Sequence, residues 1–273
     1  MQVKFSVSMC VYGKDNPAHF KQAVDSILDQ TAKPSEVVLV VDGPVPDELD
    51  KIIKNYEINP IFKVIRLPQN MGHGIARRTG LDNCSFDFVA LMDADDLSAD
   101  NRFELQRQEF EKNPGLDIVG GNITEFVDCP KNIVGKRIVP ESDAEIKSYL
   151  KKRCPMNQVT VMFKKESVQK VGGYIDWYCD EDYYLWNRMF LANMTFRNVP
   201  EILVNVRVGK DMYKRRGSLK YFRSEAKLQW FMLKKGIISF PLYVYNVAVR
   251  FCLQVLMPDR LRGLMFQKFA RKK

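Results

Sequence analysis

The chain has 273 residues, 46% hydrophobic and 27% charged. That is enough for one large domain, or one domain with an appendage, and the composition argues against wholesale disorder. Its six cysteines are scattered without a C-x-x-C pair, which argues against a zinc cage or a disulfide framework and fits reduced, cytosolic thiols. The formal charge of +9 is unevenly spread: Lys210 to Lys273 holds 16 Lys/Arg against three acids (Asp211, Glu225, Asp259), while residues 1–209 hold 26 bases and 30 acids. Such a basic C-terminal quarter suits contact with something anionic, either nucleic acid or the inner face of a membrane.

In chain order, the short apolar opening is too brief for a signal peptide, and Phe5 to Tyr12 reads as a first strand. His19 to Gln30 has helical spacing through Phe20, Val24, Ile27 and Leu28. The run Glu36 to Val41 is continuously apolar after its glutamate, as in a strand buried on both faces of a parallel sheet. Asp47 to Tyr56 reads as a helix, Phe62 to Arg66 as a strand, Ile75 to Asp82 as a helix, and Phe86 to Met92 as another buried strand. This alternation predicts a parallel sheet with helices on both faces and right-handed crossovers. Beyond Asp96 the spacing predicts a helix over 102–113, strand pieces over 116–126, a helix over 144–151, a short strand over 159–164, a helical turn over 166–171 and a helix over 180–191. From Leu219 onward everything suggests helix, interrupted at Pro241 and Pro258.

Three clusters could carry chemistry. Asp42 follows one predicted buried strand, and Asp93-Ala94-Asp95-Asp96 follows another. Ligands of open α/β sheets bind at these carboxyl ends, and carboxylates there suit a hard divalent cation together with substrate phosphates. In the simpler alternative, Asp95 and Asp96 only cap the turn that follows. Asn70-Met71-Gly72-His73-Gly74-Ile75-Ala76-Arg77 joins a strand to a helix through glycines that let backbone approach a phosphate, unless they only permit a tight turn. Asp180-Glu181-Asp182 opens a helix, where acids are favoured by the dipole, but three in a row repel one another. Neither of the chain's two histidines is well placed as a base: His19 falls on a surface helix and His73 in the glycine turn. A carboxylate base is the better candidate, and Asp182 is the choice.

These residues, in this order, resemble the family-2 inverting glycosyltransferases, especially bacterial enzymes that build O-antigen, capsule or other exopolysaccharide. Val7-Ser8-Met9-Cys10-Val11-Tyr12 resembles the family's first strand and nucleotide loop, and Ser26-Ile27-Leu28-Asp29-Gln30-Thr31 its S-I-L-x-Q-T helix. Val40-Val41-Asp42-Gly43 is similar to V-D-D-G, Asn70-x-Gly72 through Ala76-Arg77 to the N-x-G…A-R segment, Asp93-Ala94-Asp95 to the D-x-D motif, and Glu181-Asp182 to the E-D motif that carries the base. Asn157 to Met162 is similar to an acceptor-side segment of the polysaccharide-building branch. The chain departs from the pattern at Gly13, Gly43 and Arg78. The resemblance implies a GT-A, Rossmann-like fold with a mixed, mainly parallel sheet flanked by helices.

It also implies roles. Asp182 would be the general base, with Glu181 beside it. Val11, Tyr12, Asp42, Asn70, Gly72, Arg77, Asp93, Ala94 and Arg207 would contact the nucleotide-sugar donor, a UDP-sugar in the family pattern, with Lys210 or Lys214 as further diphosphate candidates. Asp95 would hold Mn²⁺ or Mg²⁺. The acceptor would be a glycan or a sugar on a polyprenyl diphosphate. A catalytic domain is expected over 1–215, with a nucleotide half to 98 and an acceptor half from 99, followed by a basic amphipathic helical region over 216–273. There the apolar run Ile237 to Met257 is broken by Pro241, Asn246, Arg250 and Gln254, a pattern of helices lying on an anionic bilayer rather than crossing it. The expected location is cytoplasmic, peripheral on the inner face of the plasma membrane. Two alternatives remain at this stage: a metal-dependent nucleotidyltransferase, which would usually show a basic glycine-rich loop near the start, and a nucleic-acid-binding protein, for which no recognised motif is present.

Overall fold

A computed structural model describes residues 3–209 and 218–258. The sheet begins with β1 (Phe5–Tyr12), β2 (Glu36–Asp42), β3 (Phe62–Arg66) and β4 (Phe88–Asp93), mutually parallel in the order β3-β2-β1-β4. Helices α1 (Pro17–Leu28), α2 (Asp47–Glu57) and α3 (His73–Asn83) make the crossovers. Local chemistry fixes their ends: Asn16 caps α1, accepting from the Ala18 and His19 amides, and Pro17 occupies the first turn. Strands β1, β2 and β4 are buried on both faces because alternate side chains enter different cores, while β3 is the edge strand. Val37, Leu39 and Val41 of β2 join Phe20, Ile27 and Phe103 on one face. Val38 joins Leu81, Leu91 and Trp186 on the other.

The second half completes the sheet with β5 (Leu97–Ser98), β6 (Ile118–Phe126), β7 (Ile133–Arg137), β8 (Met162–Lys164) and β9 (Phe196–Arg207). Strand β8 bridges the halves, antiparallel to both β4 and β6. Strand β9 runs parallel to β6 and antiparallel to β5. The sheet is therefore mixed, its parallel first half continued by the antiparallel β8, the parallel pair β6–β9 and the antiparallel β5. Helices α4 (Arg102–Lys112), α5 (Asp143–Leu150), α6 (Lys165–Lys170) and α7 (Glu181–Leu191) flank it. Ser142 and Glu145 form a capping box at the start of α5.

Two differences from the sequence expectations have physical causes. The strand expected over 159–164 opens as a 3₁₀ turn, Gln158–Thr160, and becomes β8 only at Met162. No strand was expected at β9, since Asn198, Pro200, Glu201 and Asn205 interrupt its apolar run. The structure absorbs Pro200 at a register shift opposite Gly121–Asn122, where Asn122 donates to the Pro200 carbonyl at 2.7 Å.

Two buried polar residues tie the crevice to the core. Gln30, in the S-I-L-x-Q-T segment, donates to Ser98 Oγ (3.2 Å) and to the Ala99 carbonyl (2.7 Å). Arg102 is fully buried and donates to the Leu91 carbonyl (2.7 Å) and Gln106 (3.1 Å). Burial pulls its guanidinium down to about 9.

Beyond residue 217, α8 (Leu219–Lys234) and α9 (Phe240–Phe251) form an antiparallel pair that ends in a π-helical turn, Cys252–Leu256. Leu228, Met232, Ile237 and Ile238 enter the same core as Trp186 and Tyr183 of α7. The polar interruptions of the apolar run face inward. Asn246 is buried and donates to the Lys151 carbonyl (3.0 Å) and Gln229 (2.8 Å). Arg250 pairs with Glu225 at 3.1 Å, and Gln254 also donates to Glu225. Among the described residues no helix is long and apolar enough to cross a membrane. Lys210, Lys214 and the basic residues expected at 260–273 lie outside the described residues.

Candidate active site

The strand order reverses at β1, which has β2 on one side and β4 on the other, so a crevice opens at the carboxyl ends of these strands. Register brings the predicted residues together there: Val11 lies opposite Val41, Tyr12 opposite Asp42, and Cys10 opposite Asp93. Val11 and Ala94 are buried, and Tyr12 is exposed at the rim.

Asp42 organises one wall of the crevice. Its Oδ1 accepts the Met71 amide (2.7 Å), its Oδ2 accepts the Gly72 amide (3.1 Å), and Asn70 Nδ2 donates to its carbonyl (3.3 Å). One buried carboxylate thus clips the 70–72 segment against the end of β2. Gly43 allows this close approach. Its φ is +86°, and a Cβ there would stand 2.5 Å from the Asn70 nitrogen. Gly72, at φ +89°, turns the chain into the N-terminus of α3.

From the first turns of α3, Arg77 reaches back to β4. It is only 3% exposed, and its Nη2 donates to Asp93 Oδ1 at 2.5 Å. Burial alone would raise the Asp93 pKa, but the Arg77 charge and hydrogen bond hold it below the usual carboxylate value. Arg77 Nε also donates to His73 Nε2 at 3.0 Å, and His73 Nδ1 lies 2.9 Å from Glu181 Oε1. Asp93 and Glu181 are therefore joined across the crevice by one hydrogen-bonded chain.

The turn after β4 is held from outside by the end of β9. The Arg207 amide donates to Asp96 Oδ1 (2.8 Å), and its guanidinium donates to the Asp95 carbonyl (3.0 Å) and Gln22 (2.7 Å). Asp96 is buried within this clamp, and burial with the charges of Asp95 and Asp93 pushes its pKa well up. It serves as the acceptor that ties the acidic turn to β9, rather than as a simple turn cap.

Asp15 joins the cluster unannounced by the sequence. It accepts the Tyr12 amide at 2.9 Å, and burial with the charges of Asp95 and Asp93 raises it to about 6. Mutually repelling carboxylates at the mouth of the crevice are a donor set suited to Mn²⁺ or Mg²⁺. Among the described residues no three His, Cys, Asp or Glu side chains would hold a metal by themselves. The residues fit a cation shared between one or two carboxylates and a substrate's phosphates.

Across the crevice, Asp182 sits in the first turn of α7. Its Oδ1 accepts the Tyr183 amide (2.6 Å), and Cys154 Sγ approaches Oδ2 (3.9 Å). Burial first, and the neighbouring Glu181 charge second, push it up to about 6. Glu181 is held below its ordinary value: burial opposes this, and the hydrogen bond from His73 favours it. The two adjacent acids thus have separated affinities for a proton, as an acid–base site requires.

Residues 6–172 match the family described as glycosyl transferase family 2. The chain belongs to that family. It is 36% identical over 271 residues, 98% of this chain and 97% of the relative, to the UDP-Gal:alpha-D-GlcNAc-diphosphoundecaprenol beta-1,3-galactosyltransferase of Escherichia coli. It is 32% identical over 268 residues, 97% of this chain and 98% of the relative, to the amylovoran biosynthesis glycosyltransferase AmsE of Erwinia amylovora. Among solved structures, the mannosyltransferase PcManGT of Pyrobaculum calidifontis, in complex with GDP-Man and Mn²⁺, aligns with a TM-score of 0.65 at 15% identity, covering 96% of this chain and 72% of that one. The fold is GT-A-like, as the resemblance implied. With the class established as glycosyltransferase, the nucleotidyltransferase and nucleic-acid-binding alternatives give way.

Sequence reasoning had the strand-end acids and the base candidate. It passed over Asp15 and set His73 aside. The available signal was positional: Asp15 lies three residues beyond Tyr12, and His73 four before Arg77, one helical turn away.

The Gly43 geometry generates a test. Gly43→Ala is expected to lower stability by about 2 kcal/mol, from the positive φ and the contact with Asn70. Urea denaturation measures the effect.

Proposed function

We propose that this glycosyltransferase is an inverting, metal-dependent enzyme that moves a hexose from a UDP-sugar to a glycan or a lipid-diphosphate-linked sugar in cell-surface polysaccharide synthesis. The observation that carries the reading is the hydrogen-bonded chain Asp93–Arg77–His73–Glu181, which joins the D-x-D turn and the base-bearing helix in one crevice. The UDP donor and lipid-diphosphate acceptor are supported by the printed activity of the Escherichia coli relative. Polysaccharide synthesis is supported by the Erwinia one.

In this reading the uracil and ribose lie along Val11, Tyr12 and Asp42, whose lone pairs are only partly used by the 70–72 amides. Asn70 and Gly72 shape the wall beside them. Asp93, its carboxylate set by Arg77, orients donor hydroxyls, and Ala94 lets the sugar approach the turn. Asp95 would hold Mn²⁺ or Mg²⁺, with Asp15 beside it, and the bound cation would supply Lewis-acid stabilisation to the leaving diphosphate. Arg207 adds positive charge at the same turn. Asp182 takes the proton from the acceptor hydroxyl as that oxygen attacks the anomeric carbon. Because one carboxylate serves the attacking group and no protein nucleophile intervenes, the displacement is single and inverts configuration.

Asp182→Asn is expected to lower kcat by about 10²–10⁴-fold while UDP binding persists. Equal loss of UDP binding would contradict the base assignment. Asp182 must be ionised to accept a proton and is raised to about 6. The wild-type kcat should therefore fall as the pH drops through that value, and this acid limb should be absent from any residual activity of Asp182→Asn.

The α8–α9 pair supports a membrane-facing role for the 216–273 region. With Asn246, Arg250 and Gln254 turned inward, α9 presents Phe240, Val244, Tyr245 and Phe251 outward; Phe240 is 64% and Tyr245 62% exposed. The spacing places them on one helical face. Trp230 is exposed beside them, its ring 5.8 Å from that of Tyr243, and Lys234 lies over Trp230. Lys220, Arg223, Lys227, Lys234 and Lys235 are exposed, while the acid among the described residues of this pair, Glu225, is paired with Arg250. An apolar face rimmed by lysines suits an anionic bilayer surface at the inner face of the plasma membrane. The full-length protein is expected to sediment with phosphatidylglycerol-containing vesicles at low salt. Val244→Glu/Tyr245→Glu should lose most of that binding yet keep its melting temperature. Equal recovery of wild type and variant in the supernatant would contradict the assignment.

A further inference from the structure

The chain that joins the two acid groups also fixes a proton. An arginine Nε can only donate, so in its contact with Arg77 the Nε2 of His73 must present a lone pair. The neutral ring then carries its proton on Nδ1, the atom 2.9 Å from Glu181 Oε1. Both contacts are satisfied as hydrogen bonds in this tautomer, with Arg77 donating to the ring and the ring donating to Glu181. The His73 side chain is 54% exposed and that of Glu181 10%. The ring thus bridges the open floor of the crevice rather than filling the core.

We propose that His73 is a positioning residue: its imidazole, locked by Arg77 as the Nδ1–H tautomer, fixes Glu181 as an ionised hydrogen-bond acceptor and thereby sets Asp182 for the acceptor hydroxyl. The catalytic consequence rests on the glycosyltransferase mechanism above; the tautomer does not. The groups facing the Glu181–Asp182 pair are His73 and Arg77 from α3, Arg137 from β7, Cys154 and Tyr174 from loops, and Cys179 and Asp180 just before α7. Of these, His73 supplies the side-chain hydrogen bond that favours the Glu181 anion. Without it the adjacent pair takes up its first proton at a higher pH, since the two acids titrate together.

Two measurements test this on the full-length protein. The chain has only two histidines, so ¹⁵N–¹H correlations of a histidine-labelled sample at about pH 8 resolve each ring, with the His73 signals assigned by their loss in a variant. A proton on Nδ1 of His73 is expected, and a proton on Nε2 would overturn the proposal whatever the enzyme does. For catalysis, His73→Asn keeps a donor near the Nδ1 position and loses the Nε2 acceptor, whereas His73→Gln does the reverse. In His73→Gln, kcat is expected to fall about tenfold and the acid limb of its pH profile to move up by about half a unit to one unit, the size of losing one partly screened charged hydrogen bond. In His73→Asn, kcat should fall no more than about threefold with the limb unmoved. Equal losses in both variants with an unmoved limb would reduce His73 to a structural residue. If the wild type transferred no sugar from any UDP-sugar, the glycosyltransferase mechanism would fall, and the proton position would still decide the tautomer.

Discussion

The structure depends on the ion pair between Arg77 and Asp93. Arg77 is almost wholly enclosed, and a counter-charge offsets the cost of enclosing it; removing the partner of such a buried charge typically costs about 3–5 kcal/mol. Asp93 is that counter-charge, and the pair ties α3 to the end of β4. Everything else at the crevice is placed relative to it. Asp42 clips the segment that leads into α3, the buried Arg102 braces β4 from below through the Leu91 carbonyl, and Arg207 holds the turn beyond Asp93. Burial first, and the charges of their neighbours second, raise Asp15 and Asp96. In the proposed mechanism such a crevice suits a cation carried in with a nucleoside diphosphate.

The second organising feature is the joint between α7 and the C-terminal pair. Trp186 and Tyr183 of α7 share a core with Leu228 and Met232 of α8, so the helix that carries Asp182 is packed directly on the element whose outer face is apolar and basic. Tyr184 of α7 also meets Phe231 of α8 edge-on, with centroids 4.9 Å apart. In the proposed mechanism this couples the base to the surface at which a lipid-linked acceptor would arrive.

Much of this was legible in the sequence, for definable reasons. Strands β2 and β4 were visible because strands buried on both faces leave nearly continuous apolar runs, while β1 and the edge strand β3 showed as shorter apolar stretches. The acids at the ends of β2 and β4 were visible because carboxylates directly after buried apolar runs stand at the carboxyl edge of a parallel sheet. Strand β9 was hidden by Pro200 and its polar neighbours, which a register shift accommodates only in three dimensions. Asp15 and His73 were hidden for another reason. Their spacings to Tyr12 and Arg77 are local, but nothing in those spacings tells that His73 also meets Glu181, more than a hundred residues away. The inward turn of Asn246, Arg250 and Gln254 was equally invisible. In sequence they interrupt an apolar run; in the structure they pin it so that its apolar face points outward.

The central claim is that this crevice performs a single displacement on a UDP-sugar. The most direct test incubates the full-length protein with UDP-hexoses, Mn²⁺ and a short-chain lipid-diphosphate-GlcNAc acceptor, follows UDP release and reads the anomeric configuration of the product by NMR. Acceptor-dependent release giving a β-linked product from an α-linked donor is the expected result. An α-linked product, or no transfer from any UDP-hexose, would contradict the account.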